Sequence, residues 1–290
     1  MPHGLLVIDK PLGITSRAAL DRAAHWFPRR TRIGHAGTLD PLATGVLVLC
    51  VGHATRLTEF VQSMPKVYES EFTLGSVSAT DDAEGPIEAV ANVVAPERLT
   101  VEQVCGKLTG VIQQIPPAFS AAKVAGRRAY AVSRGGGAVE LKPRTVRVDR
   151  IEILDYQYPS LRVRIDCGKG TYVRSLARDL GVRLGCGAYV ASLRRTRIGP
   201  FAAESACRLE FSADDALCRL LPPIHAVAGL PTLTVSASEV ADFRHGRRIR
   251  SNHRSDVGML AVVDAHGDLI GVGRAVGDEI QPACVLPAPE

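Results

Sequence analysis

The 290-residue sequence contains no apolar stretch approaching the length of a membrane-crossing helix, which removes helical membrane proteins from consideration. It has no Cys-x-x-Cys pair and no Cys/His cluster at zinc spacing. Its seven cysteines (Cys50, Cys105, Cys167, Cys186, Cys207, Cys218 and Cys284) are scattered and odd in number. They read as reduced residues, mostly small core fillers, so neither a metal centre nor a disulfide framework is expected. No internal repeat is found. The acidic turn at residues 78–85 lacks the spacing of a calcium loop. Residues 4–8 are too short for the core of a secretion signal and no basic region precedes them, so the expected compartment is the cytoplasm.

What is present is ordinary in amount but uneven in placement. Hydrophobic residues at 46% and charged residues at 22% suit a globular protein with one large domain and a small appendage. The net charge is only +5, yet residues 123–150 carry eight Lys/Arg against two acids, and residues 161–198 carry nine against two. A third basic group, Arg244, Arg247, Arg248, Arg250 and Arg254, lies near the C-terminus. Segregated positive charge suits a phosphate backbone, although solvated basic faces are common and charge alone leaves the partner open.

Hydrophobic patterning gives a coarse organisation. Residues 4–8 read as a buried strand, and Thr15 or Ser16 caps a helix running to about Phe27, which makes Trp26 a packing residue. Residues 46–51 and 68–74 read as strands, and 99–113 as a helix. Residues 115–144 form a Pro-, Gly- and Arg-rich excursion, of the kind that is functional or disordered in compact domains. Strands follow at 146–154, 161–167 and 189–198, with a helix at 172–184 ending at Gly185 and another at 213–221. Pro222, Pro223 and Pro231 bracket a boundary, beyond which short strands at 260–263 and 269–272 suggest a small β-rich domain. The class expected is α+β with a mixed or antiparallel sheet.

The most informative stretch is Gly34-His35-Ala36-Gly37-Thr38-Leu39-Asp40-Pro41-Leu42-Ala43-Thr44-Gly45-Val46-Leu47. Glycines, a histidine and a carboxylate precede the apolar run, so Asp40 sits on a loop feeding a core element. Read on spacing alone, Asp40 is better taken as a turn residue capping a backbone amide.

This run resembles the catalytic motif of the TruB family, the tRNA pseudouridine-55 synthases. The resemblance extends along most of the chain. Residues 4–16 (GLLVIDKPLGITS) are similar to the family's N-terminal motif, and Lys66-Val67-Tyr68 to its K-x-Y motif. Lys169-Gly170-Thr171-Tyr172-Val173-Arg174 and Leu193-Arg194-Arg195 look like its K-G-T-Y-[IV]-R and L-R-R segments. Residues 119–130 resemble its RNA-gripping insertion, and the segment around Phe243-Arg244-His245-Gly246-Arg247 its appended domain of PUA type. Two positions depart: Phe119 stands where the family often has tyrosine, and Ala79 where the acidic turn often carries aspartate.

The resemblance implies a catalytic domain of pseudouridine-synthase type at residues 1–228, with the insertion at about 115–144, and a PUA-like RNA-binding domain at 229–290. It implies that Asp40 is the catalytic aspartate, with Arg174 as its ion-pair partner and Tyr68 as the active-site tyrosine. His35 would lie in the same loop against the RNA, Tyr172 would line the pocket, and Leu193 would pack beside the base. Lys10, Lys66, Arg127 and Arg128 are candidates for RNA contact. The reaction converts uridine to its C-glycoside after the base is extruded from a folded tRNA T stem-loop. No cofactor or metal is expected, because breaking C1′–N1 and remaking the link at C5 conserves atoms and redox state. A monomer is expected. Two other classes fit parts of the chain. A non-catalytic RNA-binding module suits the basic segments but needs no combination of Asp40, Tyr68 and Arg174. A hydrolase using Asp and His lacks a third residue to orient His35.

Overall fold

The computed structural model describes residues 2–119, 141–250 and 258–288, together with the backbone of 123–124 and 127–128. The strands are β1 (Gly4–Lys10), β2 (Ile33–His35), β3 (Ala43–Val51), β4 (Lys66–Leu74), β5 (Ser76–Ser78), β6 (Ile87–Ala89), β7 (Gly110–Gln114), β8 (Lys123–Val124), β9 (Arg127–Arg128), β10 (Arg144–Gln157), β11 (Ser160–Cys167), β12 (Ala188–Ile198) and β13 (Phe201–Ala202). Interspersed are helices α1 (Ser16–Ala23), α2 (Thr58–Ser63), α3 (Arg98–Lys107), α4 (Val173–Leu184) and α5 (Ala213–Leu217). The C-terminal part contributes β14 (Thr232–Thr234), α6 (Ala237–Arg244), β15 (Ile249–Arg250), β16 (Met259–Val263), β17 (Leu269–Val276) and β18 (Glu279–Val285).

The main sheet has nine strands in the order β1-β3-β12-β4-β11-β10-β7, with β2 added to β3 and β13 to β12. It is mixed: β3 and β12 run parallel while the other pairings are antiparallel. The expected α+β class with a mixed sheet is what the chain forms. A five-stranded sheet, β14-β16-β17-β18-β15, makes the C-terminal β-rich part.

Two sequence expectations need correcting. The helix expected over 99–113 ends at Lys107, and residues 110–114 form strand β7 on the edge of β10. The break falls at Gly110, whose φ of +89° no helix accepts, and the β-branched pair Val111-Ile112 then pairs across to Arg147 and Val146. The helix expected over 213–221 stops at Leu217, with Cys218 as its cap.

Strand β4 runs through the middle of the sheet, and its strict alternation buries Lys66, Tyr68, Ser70, Phe72 and Leu74 on one face. On that face Phe72 and Leu74 join Val163, Ile165, Leu176, Ala177 and Leu180 in a core that seats α3 and α4 on the sheet. Lys66, Tyr68 and Ser70 continue the same face toward the other end, where the apolar packing gives way to a cleft. Trp26 packs as expected, its Nε1 donating to the Phe211 carbonyl.

Candidate active site

The cleft is a cavity of about 280 Å³, close to the lower end of the usual range for small-molecule sites. Its walls come from five places: residues 37–40 and Ala43, Gln62 on α2, Lys66 and Tyr68 on β4, residues 168–174, and Leu193 and Arg195 on β12.

The Asp40 loop is held from the N-terminal motif. The Ser16 hydroxyl donates to the Leu39 carbonyl at 2.9 Å and accepts from the Leu39 amide at 2.7 Å. The Gly13 amide donates to the Pro41 carbonyl, and the Lys10 ammonium donates to the Ile14 carbonyl at 2.7 Å and the Pro41 carbonyl at 3.5 Å. Lys10, a candidate for RNA contact, is fully buried, and its ammonium donates to backbone carbonyls around the loop. Burial lowers its pKa to about 8, against an upward pull from Asp40. Lys66 is also buried, its ammonium donating to the carbonyls of Gln62 and Met64, but it does line the cavity.

Asp40 meets Arg174 as the sequence suggested: Nη2 lies 2.8 Å from Oδ2. The other arm of the guanidinium, Nη1, is 3.0 Å from Asp82 Oδ2 and donates to the Thr80 carbonyl, while Nη2 also donates to the Phe119 carbonyl. Arg174 is 4% exposed and Asp82 2%, so this is a carboxylate–guanidinium–carboxylate chain buried at its far end, with Asp40 and Arg174 lining the cleft and Asp82 behind them. Burial pushes the Asp40 carboxyl above its ordinary value; Arg174 opposes this, and the like charge of Asp82 adds to it. Arg174 is shared between two carboxylates, so its charge is not reserved for Asp40.

Asp82 was missed in the sequence. It belongs to the turn set aside as unable to hold calcium. That turn is pinned to the sheet by the Ala83 amide donating to the Val190 carbonyl, and the Val190 amide donating to the Asp81 carbonyl. Beside it, Arg178 pairs with Asp81 at 2.9 Å and donates to the Ile115 carbonyl, which Ser175 also meets. Phe119 contributes its carbonyl to Arg174, a contact that does not depend on whether its ring carries a hydroxyl.

Tyr172 precedes α4 with extended backbone, fixed by buried Gln114, whose amide group donates to the Tyr172 carbonyl and accepts from its N–H. Tyr172 and Leu193 both line the cavity. Tyr68 is buried, which raises its phenol pKa and keeps the hydroxyl protonated at neutral pH, although the Arg195 charge opposes this. His35 does not share the loop: it ends strand β2 opposite Leu49, and the cavity wall begins two residues later at Gly37. Arg127 and Arg128 form strand β9, and their side chains lie outside the described residues.

Comparison with known proteins decides what this geometry belongs to. Residues 25–173 match the model of the TruB family pseudouridylate synthase N-terminal domain. The chain belongs to the TruB family. Residues 174–225 match the tRNA pseudouridylate synthase B C-terminal domain, and 230–287 the C-terminal domain of tRNA pseudouridine synthase II. Proteins called tRNA pseudouridine synthase B are 39% identical in Pseudomonas fluorescens and 38% in Pseudomonas aeruginosa, each aligned over 95% of this chain and 92% of its own. The fold is shared with a chain in an H/ACA RNP bound to a substrate RNA containing 2′-deoxyuridine (TM-score 0.75, 23% identity, covering 99% of this chain and 86% of that one). It is also shared with a chain in a Cbf5-Nop10-Gar1 complex (TM-score 0.75, 25% identity, 99% and 84%). Like the family, this chain is an isomerase making pseudouridine.

Proposed function

We infer that the enzyme isomerises uridine-55 in the T loop of tRNA to pseudouridine, with Asp40 as the catalytic carboxylate. The observation that supports this best is the Asp40–Arg174 pair at the mouth of a cavity of nucleoside scale, walled by Tyr68, Tyr172 and Leu193. The target base is everted from the T stem-loop into the cavity, where Tyr68 and Leu193 bracket the ring. The C1′–N1 bond breaks with its electron pair going to N1, and Asp40 meets the electron-poor sugar centre. The uracil turns, C5 bonds to C1′, the proton at C5 departs and N1 gains one. Atoms and electrons balance without any further reactant. Arg174 keeps the Asp40 carboxylate aimed while Asp82 holds Arg174 from behind. The Arg127 and Arg128 insertion and the C-terminal domain grip the RNA backbone. The enzyme works as a cytoplasmic monomer, where tRNA is.

The test is a uridine-containing T-arm RNA with the wild type and Asp40→Asn. The variant is expected to form no pseudouridine while its RNA Kd stays within about threefold. Substantial turnover by Asp40→Asn removes Asp40 from the chemistry. Tight binding without turnover by the wild type makes the protein a binding module instead.

A further inference from the structure

Of the two arginines in Leu193-Arg194-Arg195, the first is explained by a neighbour and the second is not. Arg194 points away from the cavity and makes a two-pronged pair with Asp9, at 3.0 and 2.7 Å. Arg195 is 2% exposed and lines the cavity, yet among the described residues no carboxylate pairs with it. Its Nε donates to the Val46 carbonyl at 2.8 Å and Nη2 to the Gly37 carbonyl at 3.2 Å.

Its placement follows from register. Arg195 sits directly across from Tyr68 on β4 and from Gly45 on β3. Lys66 and Tyr68 are two apart on one strand, Leu193 and Arg195 two apart on the other, so all four share the cavity face. The strand carrying Arg195 approaches so closely that a Cβ on Gly45 would lie 2.1 Å from the Arg195 carbonyl oxygen. Burying a guanidinium without a counter-ion is costly, and two carbonyls offset only part of that cost. A neutral amide would hold the same carbonyls at less cost. The positive potential is felt nearby: burial, then the Arg195 charge, lowers the Lys66 pKa to about 8.

We propose that Arg195 is the electrostatic partner of the uracil ring, taking up the negative charge the base acquires when its bond to C1′ breaks. The inference rests on the isomerase reading above and extends it. The cavity is then divided by charge, with Asp40 serving the electron-poor sugar and Arg195 the electron-rich base. Tyr68 lies under the influence of both charges. A fixed cation in a site shielded from water stabilises such a developing anion without reorganising at the moment of reaction.

The experiment measures single-turnover loss of the target nucleoside from T-arm RNA carrying either uridine or 5-fluorouridine at that position. Fluorine withdraws electrons and makes the pyrimidine a better-stabilised anion, so it substitutes for part of what Arg195 supplies. Arg195→Met is expected to slow the uridine substrate about 100-fold, and to raise the fluoro-to-uridine rate ratio at least about fivefold over the wild type. Arg195→Lys, which keeps the charge, is expected to stay within about tenfold of the wild type and to retain its ratio. Should Arg195→Met fail to fold, Arg195→Gln keeps donors for the two carbonyls and is read in its place. An unchanged rate, or a slowed rate with an unchanged ratio, overturns the proposal and leaves Arg195 as scaffolding. Because wild-type turnover is the reference in every comparison, failure here is distinct from failure of the isomerase reading itself.

Discussion

At the scale of single residues, the site is a set of charges whose partners decide their use. Asp40, Arg174 and Arg195 all line one cavity and Asp82 backs Arg174, yet of these four only Asp40 keeps a substantially exposed side chain. The upward shift of the Asp40 carboxyl has a definite sign in experiment. The ionised form is the working form, so activity is lost as pH falls, with a midpoint above the ordinary aspartate value of 3.8. The same raised value means that ionising Asp40 weakens the fold, so its share of stability is greatest below that midpoint and declines as pH rises through it. Single-turnover rates against pH check the first statement, and Tm against pH for wild type and Asp40→Asn the second. An acid limb centred at or below 3.8 would show that Arg174 outweighs burial.

At the scale of elements, the N-terminal motif matters for where it puts a loop rather than for chemistry. Strand β1 lies against β3 while the turn after it reaches over to residues 39–41 through Lys10, Gly13 and Ser16. Ser16→Ala removes both partners of the Leu39 backbone in a buried place, a loss of about 1–3 kcal/mol. The expected outcome is a kcat lowered at least about tenfold, because Asp40 is no longer held within the sub-ångström tolerance catalysis requires, with RNA affinity unchanged. Separate measurement of kcat and Kd checks it; a fall in affinity alone would place Ser16 in binding. Much of this level was readable beforehand. Strands β3, β4, β11 and β12 follow directly from apolar runs and alternation, and the helix over 173–184 from its 3.6 period and Gly185. What misled was residues 108–113, where helical composition runs straight into a glycine that turns the chain into an edge strand.

At the scale of the whole molecule, the C-terminal sheet packs on the catalytic part. Ala261, Val272 and Leu286 join Leu5, Val46, Val48 and Phe201 in one buried apolar cluster, and Arg56 Nη1 donates to the Val285 carbonyl. Removing residues 229–290 strips the cover from that cluster. Leu286 alone, 4% exposed, represents about 1.5–3 kcal/mol of burial. The shortened protein is expected to melt roughly 5 °C or more below the full chain, measured by scanning calorimetry; an unchanged Tm would make the two parts independent. Charge also acts at this scale. Replacing Arg127 and Arg128 together by alanine is expected to weaken RNA affinity and flatten its dependence on salt, because fewer counter-ions are released. A salt titration of Kd checks this, and an unaltered slope would take those residues off the phosphate backbone.

The sequence alone determined the α+β class and most of the longer elements, because local periodicity is a property of neighbours along the chain, and the resemblance to contiguous TruB motifs singled out Asp40, Tyr68, Arg174, Tyr172 and Leu193 as candidates. Tertiary structure decided the rest. It brought Asp82 from a turn with no assigned role to Arg174, withdrew Lys10 from solvent, placed His35 at the end of a strand and left Arg195 facing the cavity with no carboxylate paired to it among the described residues. Those outcomes depend on register between strands distant in sequence and on desolvation. Both arise only when separate segments close around one another.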